Sequence, residues 1–451
     1  MSSSPSPNEL EDLLKEYEGR LEELAGELDT RDPLKGMRER FLMPRQARIY
    51  LTGNSLGAQP RGTRERVLEE LAAWEELGVE AHFPEANPQR PWVATDEYVR
   101  EGCAALVGAQ AGEVAVMNSL TVNLHLLLVS FYRPSPARHL VIVEAGAFPS
   151  DRYAIASQLR LRGRDPSLSL VELRPRDGEE TLRDDDILTA VHLHGPSLCL
   201  VLLSGVQYYT GQLFDMAKIT AAAHEEGAYA VFDLAHAAGN VPLRLHEWGV
   251  DGACWCTYKY LNSGPGNIGG FFLHERHHAR TDLDQLAGWW GHNPVTRFDM
   301  RAEFDPIPSA DRYRLSNPPV LCVAALLASL QLFAEAGGMQ PLRRKSLLLT
   351  GFLDHLLRTL LPPRFLTIIT PADPRSRGAQ LSLKLSDPSL LPALCARLLQ
   401  ERVICDERKP DVIRVAPTPL YNTFSEVYQF VILLQGIATD LLSTAESAPS
   451  S

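Results

Sequence analysis

The sequence predicts an α/β fold, in which a mostly parallel sheet is covered by helices on both faces and a smaller α+β domain follows. Through the middle of the chain, short apolar runs alternate with helical stretches, which is typical of parallel strands buried on both faces. After about residue 318, long helical stretches dominate and strands become sparse. A hydrophobic share of 45% over 451 residues is enough for a large core and more than one domain.

The chain begins with a predicted helical segment, residues 1–45. Apolar positions at helical spacing predict one amphipathic helix over residues 8–28. An irregular stretch follows, and then a helix is predicted over residues 64–77. Residues 82–91 are rich in Pro, Asn and Gln, which predicts a loop.

The predicted sheet belongs to a large cofactor-binding domain, residues 46–318. Apolar runs predict strands at residues 140–144, 168–173, 198–203, 229–233, 252–257 and 269–273. Helical patterns at residues 151–161 and 214–226 separate some of these strands. This alternation is the reason for predicting a mostly parallel sheet.

The smaller C-terminal domain is predicted to span residues 319–443. A long helix is predicted over residues 319–336, where Gly337 and Gly338 would end it, and a second over residues 341–361. Residues 381–385 and 412–415 have the pattern of strands. We expect the polar tail, residues 444–451, to be disordered.

Composition excludes several classes of function. The net charge of −12 argues against a nucleic-acid-binding surface. No run of about 18 apolar residues predicts a membrane span. Residues 1–8 are polar and lack the features of a secretory signal, so we expect a cytoplasmic protein.

Neither the cysteines nor a histidine cluster predicts a metal site. Seven scattered cysteines do not fit a disulfide scaffold, and the close pair Cys254 and Cys256 is interpreted as buried thiols. His274, His277 and His278 lie among charged residues, which favours a solvated helix face. We therefore expect no metal.

Polar residues follow several of the predicted strands. In a parallel α/β sheet, ligands bind at the carboxyl ends of the strands. Asp151, Ser204, Asp233, His236 and Lys259 all come just after apolar runs. We expect them to face one crevice.

Asp233 and Lys259 together indicate a cofactor. A lysine in a partly desolvated crevice has a lowered pKa and can form a Schiff base with an aldehyde. A carboxylate at a neighbouring strand end can keep a ring nitrogen protonated. Pyridoxal 5'-phosphate (PLP) requires this pair of groups, so the sequence predicts a PLP enzyme.

A glycine pattern in the same region does not indicate a dinucleotide site. Residues 264–269, GPGNIG, match GxGxxG. A dinucleotide loop must lead into a helix, whose N-terminus binds the pyrophosphate. Here the next residues predict a strand, so we interpret the glycines as forming a tight turn beside Lys259.

Eight motifs occur in order along residues 45–436. They are GNSLG at 53–57, MNSLTVNLH at 117–125, FPSD at 148–151, DLAHAAGN at 233–240, WCTYKYLNSG at 255–264, GWWGH at 288–292, RLSNPP at 314–319 and RVAPTPLYN at 414–422. In these motifs the chain resembles the kynureninase family. Single motifs such as Asp-x-x-His occur across class V aminotransferase relatives. The full set in this order is far more specific.

The resemblance implies the type I PLP-dependent transferase fold, assembled as a homodimer. It implies that Lys259 carries the cofactor and that Asp233 pairs with the pyridine nitrogen. Phe148 would stack on the ring, Asp151 would lie near its polar edge, and His236 would pack beside it. The remaining residues implied to hold the cofactor are Leu120, Thr121, Ser204 and Tyr258, largely at the phosphate, and Trp289 and Asn317, at least partly from the partner subunit.

The resemblance also implies a substrate site and a reaction. Arg414 would clamp the substrate carboxylate, and His82, Ser316 and Asn317 would contact its aromatic end. The reaction would be hydrolysis of L-kynurenine or 3-hydroxy-L-kynurenine to L-alanine and anthranilate or 3-hydroxyanthranilate, in tryptophan catabolism and NAD precursor synthesis. Besides Asp233, the implied catalytic residues are Lys259, the base at the α-carbon, and Tyr258, a candidate proton donor.

Two alternatives stay open at this point. One is another type I PLP enzyme, such as a cysteine desulfurase or a class V aminotransferase. A desulfurase needs a mobile cysteine near the C-terminal domain, where Cys395 and Cys405 are available. The other is a catalytically dead relative that acts as a binding protein, which the retention of Lys259, Asp233, Tyr258 and Arg414 argues against.

Overall fold

The computed structural model describes residues 7–447, with side chains for residues 9–444. Thirteen α-helices are described: α1 (Pro7–Glu16), α2 (Leu21–Arg31), α3 (Thr63–Leu77), α4 (Glu97–Val107), α5 (Leu120–Phe131), α6 (Pro149–Leu161), α7 (Pro166–Ser169), α8 (Asp184–His194), α9 (Met216–Glu225), α10 (Val320–Glu335), α11 (Met339–Leu360), α12 (Leu391–Gln400) and α13 (Phe424–Ser447).

Fifteen strands are described over the same range. They are β1 (Phe41–Leu42), β2 (Ile49–Tyr50), β3 (Gln59–Pro60), β4 (Val114–Val116), β5 (Leu140–Glu144), β6 (Leu170–Leu173), β7 (Leu198–Ser204), β8 (Tyr229–Asp233), β9 (Gly252–Cys256), β10 (Gly269–Leu273), β11 (Leu366–Ile368), β12 (Leu381–Leu385), β13 (Val403–Ile404), β14 (Asp406–Arg408) and β15 (Val412–Val415).

The chain forms two compact units. Of the described residues, the larger unit comprises 62–208 and 214–331, and the smaller unit comprises 7–61, 209–213 and 332–447. The domain boundaries expected from the sequence, after residues 45 and 318, stay a prediction. The compact units change after residue 61 and, inside α10, after residue 331.

The larger unit contains a seven-stranded sheet with the order β4-β10-β9-β8-β7-β5-β6. Strands β5 to β9 run parallel, and β10 is antiparallel to both β9 and β4. Residues of β8, β9 and β10 are almost entirely buried, as their apolar sequences require. The predicted mostly parallel α/β sheet is confirmed.

The smaller unit contains a four-stranded antiparallel sheet, in the order β11-β12-β15-β14. Apolar side chains of α2, α11, α12 and α13 pack with this sheet into one core, which includes Leu28, Leu356, Leu394 and Phe430. The predicted α+β character of this part is therefore present.

The single helix predicted over residues 8–28 is wrong, because the structure has two helices there. Helix α1 ends at Glu16 and α2 begins at Leu21. Gly19 lies between them with φ of 76°, a left-handed conformation that glycine adopts without strain. The apolar spacing continues across the break, so periodicity alone did not reveal it.

The expected disorder of the tail, residues 444–451, is wrong for residues 444–447, which continue α13. Residues 448–451 lie outside the described residues. Part of the same helix, Phe424–Thr444, is long and apolar enough to cross a membrane, and α10 with α11 passes that test only as a bent pair. Phe424, Val427 and Leu434 are buried in the core of the smaller unit, as expected for a core helix.

The expected solvated face at residues 274–278 is also wrong. His274 and His277 are buried. His277 Nε2 lies 2.8 Å from Asp251 Oδ1, and His224 and Arg276 contact the same carboxylate. Burial alone would raise the pKa of Asp251, but these bonds hold it well below its usual range. The charged residues in this segment therefore compensate a buried acid.

Candidate active site

Three neighbouring parallel strands of the larger unit end in polar residues. Strand β5 ends at Glu144, β7 at Ser204 and β8 at Asp233, and Ser204 is in register with Asp233. The Ser204 hydroxyl donates a hydrogen bond of 2.5 Å to Glu144 Oε1. Ser204 and Asp233 thus meet at one edge of the sheet, where the sequence placed them.

Glu144 is a residue of this edge that the sequence analysis missed. It is 4% exposed, and burial raises its pKa to about 7, although the hydrogen bonds from Ser204 oppose the shift. Its position, as the last residue of the apolar run 140–144, was the available signal. With this raised pKa, the Glu144 carboxyl group is partly protonated near neutral pH.

Glu144 should make stability depend on pH with a definite sign. The unfolded chain releases this proton near pH 4.5 and the folded chain near pH 7, so the free energy of unfolding should fall as pH rises through that window. Glu144→Gln should remove this dependence. Between pH 4.5 and pH 7, its free energy of unfolding should therefore rise relative to that of the wild type by up to about 3 kcal/mol. Urea denaturation of the cofactor-free protein across the window measures it. Glu101→Gln, at an exposed acid, is the control, and parallel curves for Glu144→Gln and the wild type would contradict the assignment.

Asp233 and Asp151 form a buried pair of carboxyl groups. They are 5% and 3% exposed and hydrogen-bonded to each other, and Asp233 Oδ1 also accepts the Ala235 N–H at 2.7 Å. Burial raises the pKa of both groups, and the charge of Asp233 raises that of Asp151 further. Their mutual hydrogen bond raises the pKa of Asp151 and lowers that of Asp233, so a proton shared by the pair favours Asp151.

Lys259 lies on the same edge of the sheet, three residues after the end of β9. Its Nζ is 2.9 Å from His236 Nε2 and 6.0 Å from the centre of the Phe148 ring. Its charge lowers the pKa of both Asp233 and Asp151, so the amine is close to the acid pair. The structure brings Lys259, His236, Phe148, Asp233 and Asp151 together.

Phe148 and helix α5 offer two further surfaces. The Phe148 ring is 46% exposed, and Tyr208 supports its edge at 5.2 Å between ring centres. Leu120 and Thr121 form the first turn of α5, and the Thr121 hydroxyl is 2.8 Å from that of Ser150. A helix N-terminus attracts anions such as phosphate.

Tyr258 precedes Lys259 and is half-buried. Its hydroxyl is hydrogen-bonded to the Cys256 thiol, and burial raises its pKa above the ordinary value. Tyr258 therefore keeps its proton through the neutral range and can donate it.

Other predicted residues of the larger unit make different contacts. Trp289 is 46% exposed and packs edge-on against Phe298, and His82 packs edge-on against Trp92 at 5.1 Å. Ser316 and Asn317 are exposed. Within residues 9–444, no hydrogen bond or ring contact joins Trp289, Asn317, Ser316 or His82 to Lys259.

Arg414 belongs to the smaller unit, in the middle of β15. It is 1% exposed, and its Nη2 donates to Asp406 Oδ2. Asp406 could not be predicted from the sequence, because nothing in its local pattern shows which residue lies opposite it in an antiparallel pair. The predicted substrate clamp therefore has a buried acidic partner of its own.

One cluster could hold a metal by distance alone. Donor atoms of Glu113, His246 and His274 lie within 4.8 Å of one another. Glu113 already accepts N–H groups of Gln110 and Glu275, and His274 Nδ1 accepts the Arg276 N–H. These bonds explain the cluster as part of the internal hydrogen-bonding network.

Comparison with known proteins identifies the family. A family model described as the kynureninase C-terminal domain matches residues 342–434. Kynureninase of Koribacter versatilis is 51% identical over 414 residues, covering 91% of this chain and 96% of that protein. Kynureninase of Myxococcus xanthus is 51% identical, covering 93% of this chain and 98% of that protein. Kynureninase of Nematostella vectensis is 47% identical, covering 91% of this chain and 93% of that protein.

Solved structures share the fold at lower identity. A C-DES mutant with glycine covalently linked to its PLP cofactor is 17% identical, with a TM-score of 0.74 over 88% of this chain and 98% of that one. The cysteine desulfurase CsdA of Escherichia coli is 18% identical, with a TM-score of 0.73 over 90% of this chain and 98% of that one. These likenesses confirm the predicted fold class, and the sequence identity over nine-tenths of the chain assigns the family. The chain belongs to the kynureninase family.

Proposed function

We propose that this protein uses PLP to hydrolyse L-kynurenine, 3-hydroxy-L-kynurenine or both. Water is consumed, the bond between the β- and γ-carbons breaks, and the products are L-alanine and anthranilate or 3-hydroxyanthranilate. The observation that carries the proposal is the arrangement of Lys259 beside the Asp233–Asp151 pair in a member of this family.

The residues of the larger unit fit PLP. Asp151 Oδ1 is buried without a hydrogen-bond partner, which is the expected state of an atom whose partner is a polar ligand group. Asp233 supplies the negative charge that a protonated ring nitrogen needs. Phe148 presents an exposed ring face, and the first turn of α5 presents N–H groups suited to a phosphate.

Bound PLP supplies an electron sink for bonds to the substrate's α-carbon. Lys259 binds the cofactor's aldehyde and then serves as the base at the α-carbon. His236 accepts a hydrogen bond from Lys259 and so orients that amine. Tyr258 retains its proton, which suits it to protonate the leaving fragment.

The remaining assignments concern the substrate and the assembly. Arg414 binds the α-carboxylate, and His82, Ser316 and Asn317 contact the aromatic end. The exposed Trp289 and Asn317 complete the site, at least partly from the partner subunit of a homodimer, which accords with their lack of contact with Lys259 within one chain. Ser204 joins the cofactor site through its bond to Glu144. We place the enzyme in the cytoplasm, where it serves tryptophan catabolism and NAD biosynthesis.

A cysteine desulfurase is the strongest rival, because its fold is the same. Burial raises the pKa of Cys395 to about 12 and that of Cys405 to about 12. Such thiols are poor nucleophiles at neutral pH. The described cysteines of the smaller unit therefore do not favour the rival.

The test supplies the PLP-loaded protein with L-kynurenine, 3-hydroxy-L-kynurenine and L-cysteine in parallel. We expect alanine to form in equal amounts with the aromatic amine from at least one kynurenine, and none from cysteine. Alanine from cysteine would support the desulfurase instead. Release of no alanine from either kynurenine would overturn the proposal.

A further inference from the structure

The strongest feature outside the cofactor residues is an ion pair in the small sheet. Asp406 on β14 and Arg414 on β15 occupy directly opposite positions of an antiparallel pair. Asp406 Oδ2 accepts a hydrogen bond from Arg414 Nη2, and the two side chains are 11% and 1% exposed. The register of β14 and β15 therefore brings the Asp406 and Arg414 side chains into contact.

The Asp406 carboxylate is itself held on both sides. Its Oδ1 accepts a hydrogen bond from Arg408 Nη1, two residues along the same strand. A carboxylate bound through both oxygens cannot rotate freely, so it fixes the donor that it meets. Arg408 is one-third exposed, whereas Arg414 is fully buried. Asp406 therefore joins a partly exposed arginine to a buried one.

Charge explains why the partner of Arg414 is an acid. An arginine is not deprotonated in proteins, and a buried guanidinium without a counter-charge is strongly unfavourable. A guanidinium carries five N–H donors on three nitrogens, and the bond to Asp406 uses the Nη2 group. Asp406 therefore neutralises Arg414 and orients its guanidinium.

We propose that Asp406 is a positioning residue that holds the Arg414 guanidinium in the orientation that binds the substrate's α-carboxylate. This inference rests on the proposed function, in which Arg414 is the carboxylate clamp. Holding the long arginine side chain in one conformation before substrate arrives reduces the ordering that binding would otherwise require. The effect should therefore appear in substrate binding more than in turnover.

The test is a double-mutant cycle of Asp406→Ala and Arg414→Ala, measured as steady-state alanine release. Asp406→Ala should raise KM at least about 10-fold and change kcat less than about 3-fold. In the Arg414→Ala background it should change KM less than about 2-fold, because the residue acts through Arg414. Asp406→Asn keeps the shape and one acceptor, and it should give an intermediate KM.

Inhibition by the two products separates positioning from a structural role. L-Alanine carries the α-carboxylate, and its inhibition constant should rise in parallel with KM in Asp406→Ala. Anthranilate lacks the amino-acid part, and its constant should stay unchanged. Asp440→Ala is the matched control, because it removes an exposed pair with Arg397 in the same unit and should alter none of these values.

Each outcome decides between the possibilities. Equal KM effects of Asp406→Ala in both backgrounds, or an unchanged KM in a folded variant, would overturn the inference. If Asp406→Ala does not fold, the same cycle is run with Asp406→Asn, and additivity there overturns it equally. A wild type that releases no alanine from either kynurenine would instead overturn the proposed function.

Discussion

Lys259→Ala is expected to reduce alanine release by at least about 10³-fold, since Lys259 is the residue proposed both to bind the cofactor covalently and to act as the base at the α-carbon. The structure places this amine 2.9 Å from His236 and close enough to the acid pair to lower its pKa values. Borohydride reduction followed by peptide mass spectrometry should find the cofactor on Lys259 in the wild type. The variant should carry none at that position.

The matched control for this substitution is Lys218→Ala. Lys218 is an exposed lysine of the same unit, paired with Asp215. Its loss should leave activity and covalent labelling unchanged. Reduced cofactor on another lysine of the wild type, or a Lys259→Ala variant with most of its activity, would refute the assignment of Lys259.

Much of the larger unit could be predicted because its strands are buried on both faces. A strand buried on both faces is apolar up to its end, as residues 229–232 are, so its limits are visible in the sequence. The polar residue at its end, Asp233, is visible for the same reason. Lys259 follows β9 in the same way, so the pair proposed to hold the cofactor could be predicted from the sequence alone.

The features that could not be predicted depend on contacts distant in sequence. Asp406 meets Arg414 because two short strands pair in one register, and neither strand shows a distinctive pattern. His277 is buried because Asp251 lies beside it, and a run of charged residues gives no sign of that. Glu144 is the last residue of an apolar run, and its bond to Ser204 joins two strands that are distant in sequence.

Asp151 and Asp233 should respond very differently to replacement by asparagine. Asparagine has the shape of a protonated aspartic acid but cannot carry its charge. Burial and the neighbouring charge raise the pKa of Asp151 well above its usual range, so a proton shared by the pair favours Asp151 over Asp233. Asp151→Asn should therefore preserve most of the electrostatics, whereas Asp233→Asn removes the negative charge.

Asp233→Asn is accordingly expected to lower turnover by about 10³-fold, a loss of about 4 kcal/mol of transition-state stabilisation, while PLP still binds. Without a carboxylate beside it, the ring nitrogen loses its proton and the cofactor becomes a poor electron sink. Alanine release, divided by cofactor content from absorbance, separates this effect from loss of PLP. Asp151→Asn should lose far less, and Asp177→Asn, at an exposed acid, should lose nothing. Equal losses at 151 and 233 would mean that the pair shares its charge, whereas a larger loss at 151 would reverse the assignment of the ring-nitrogen partner.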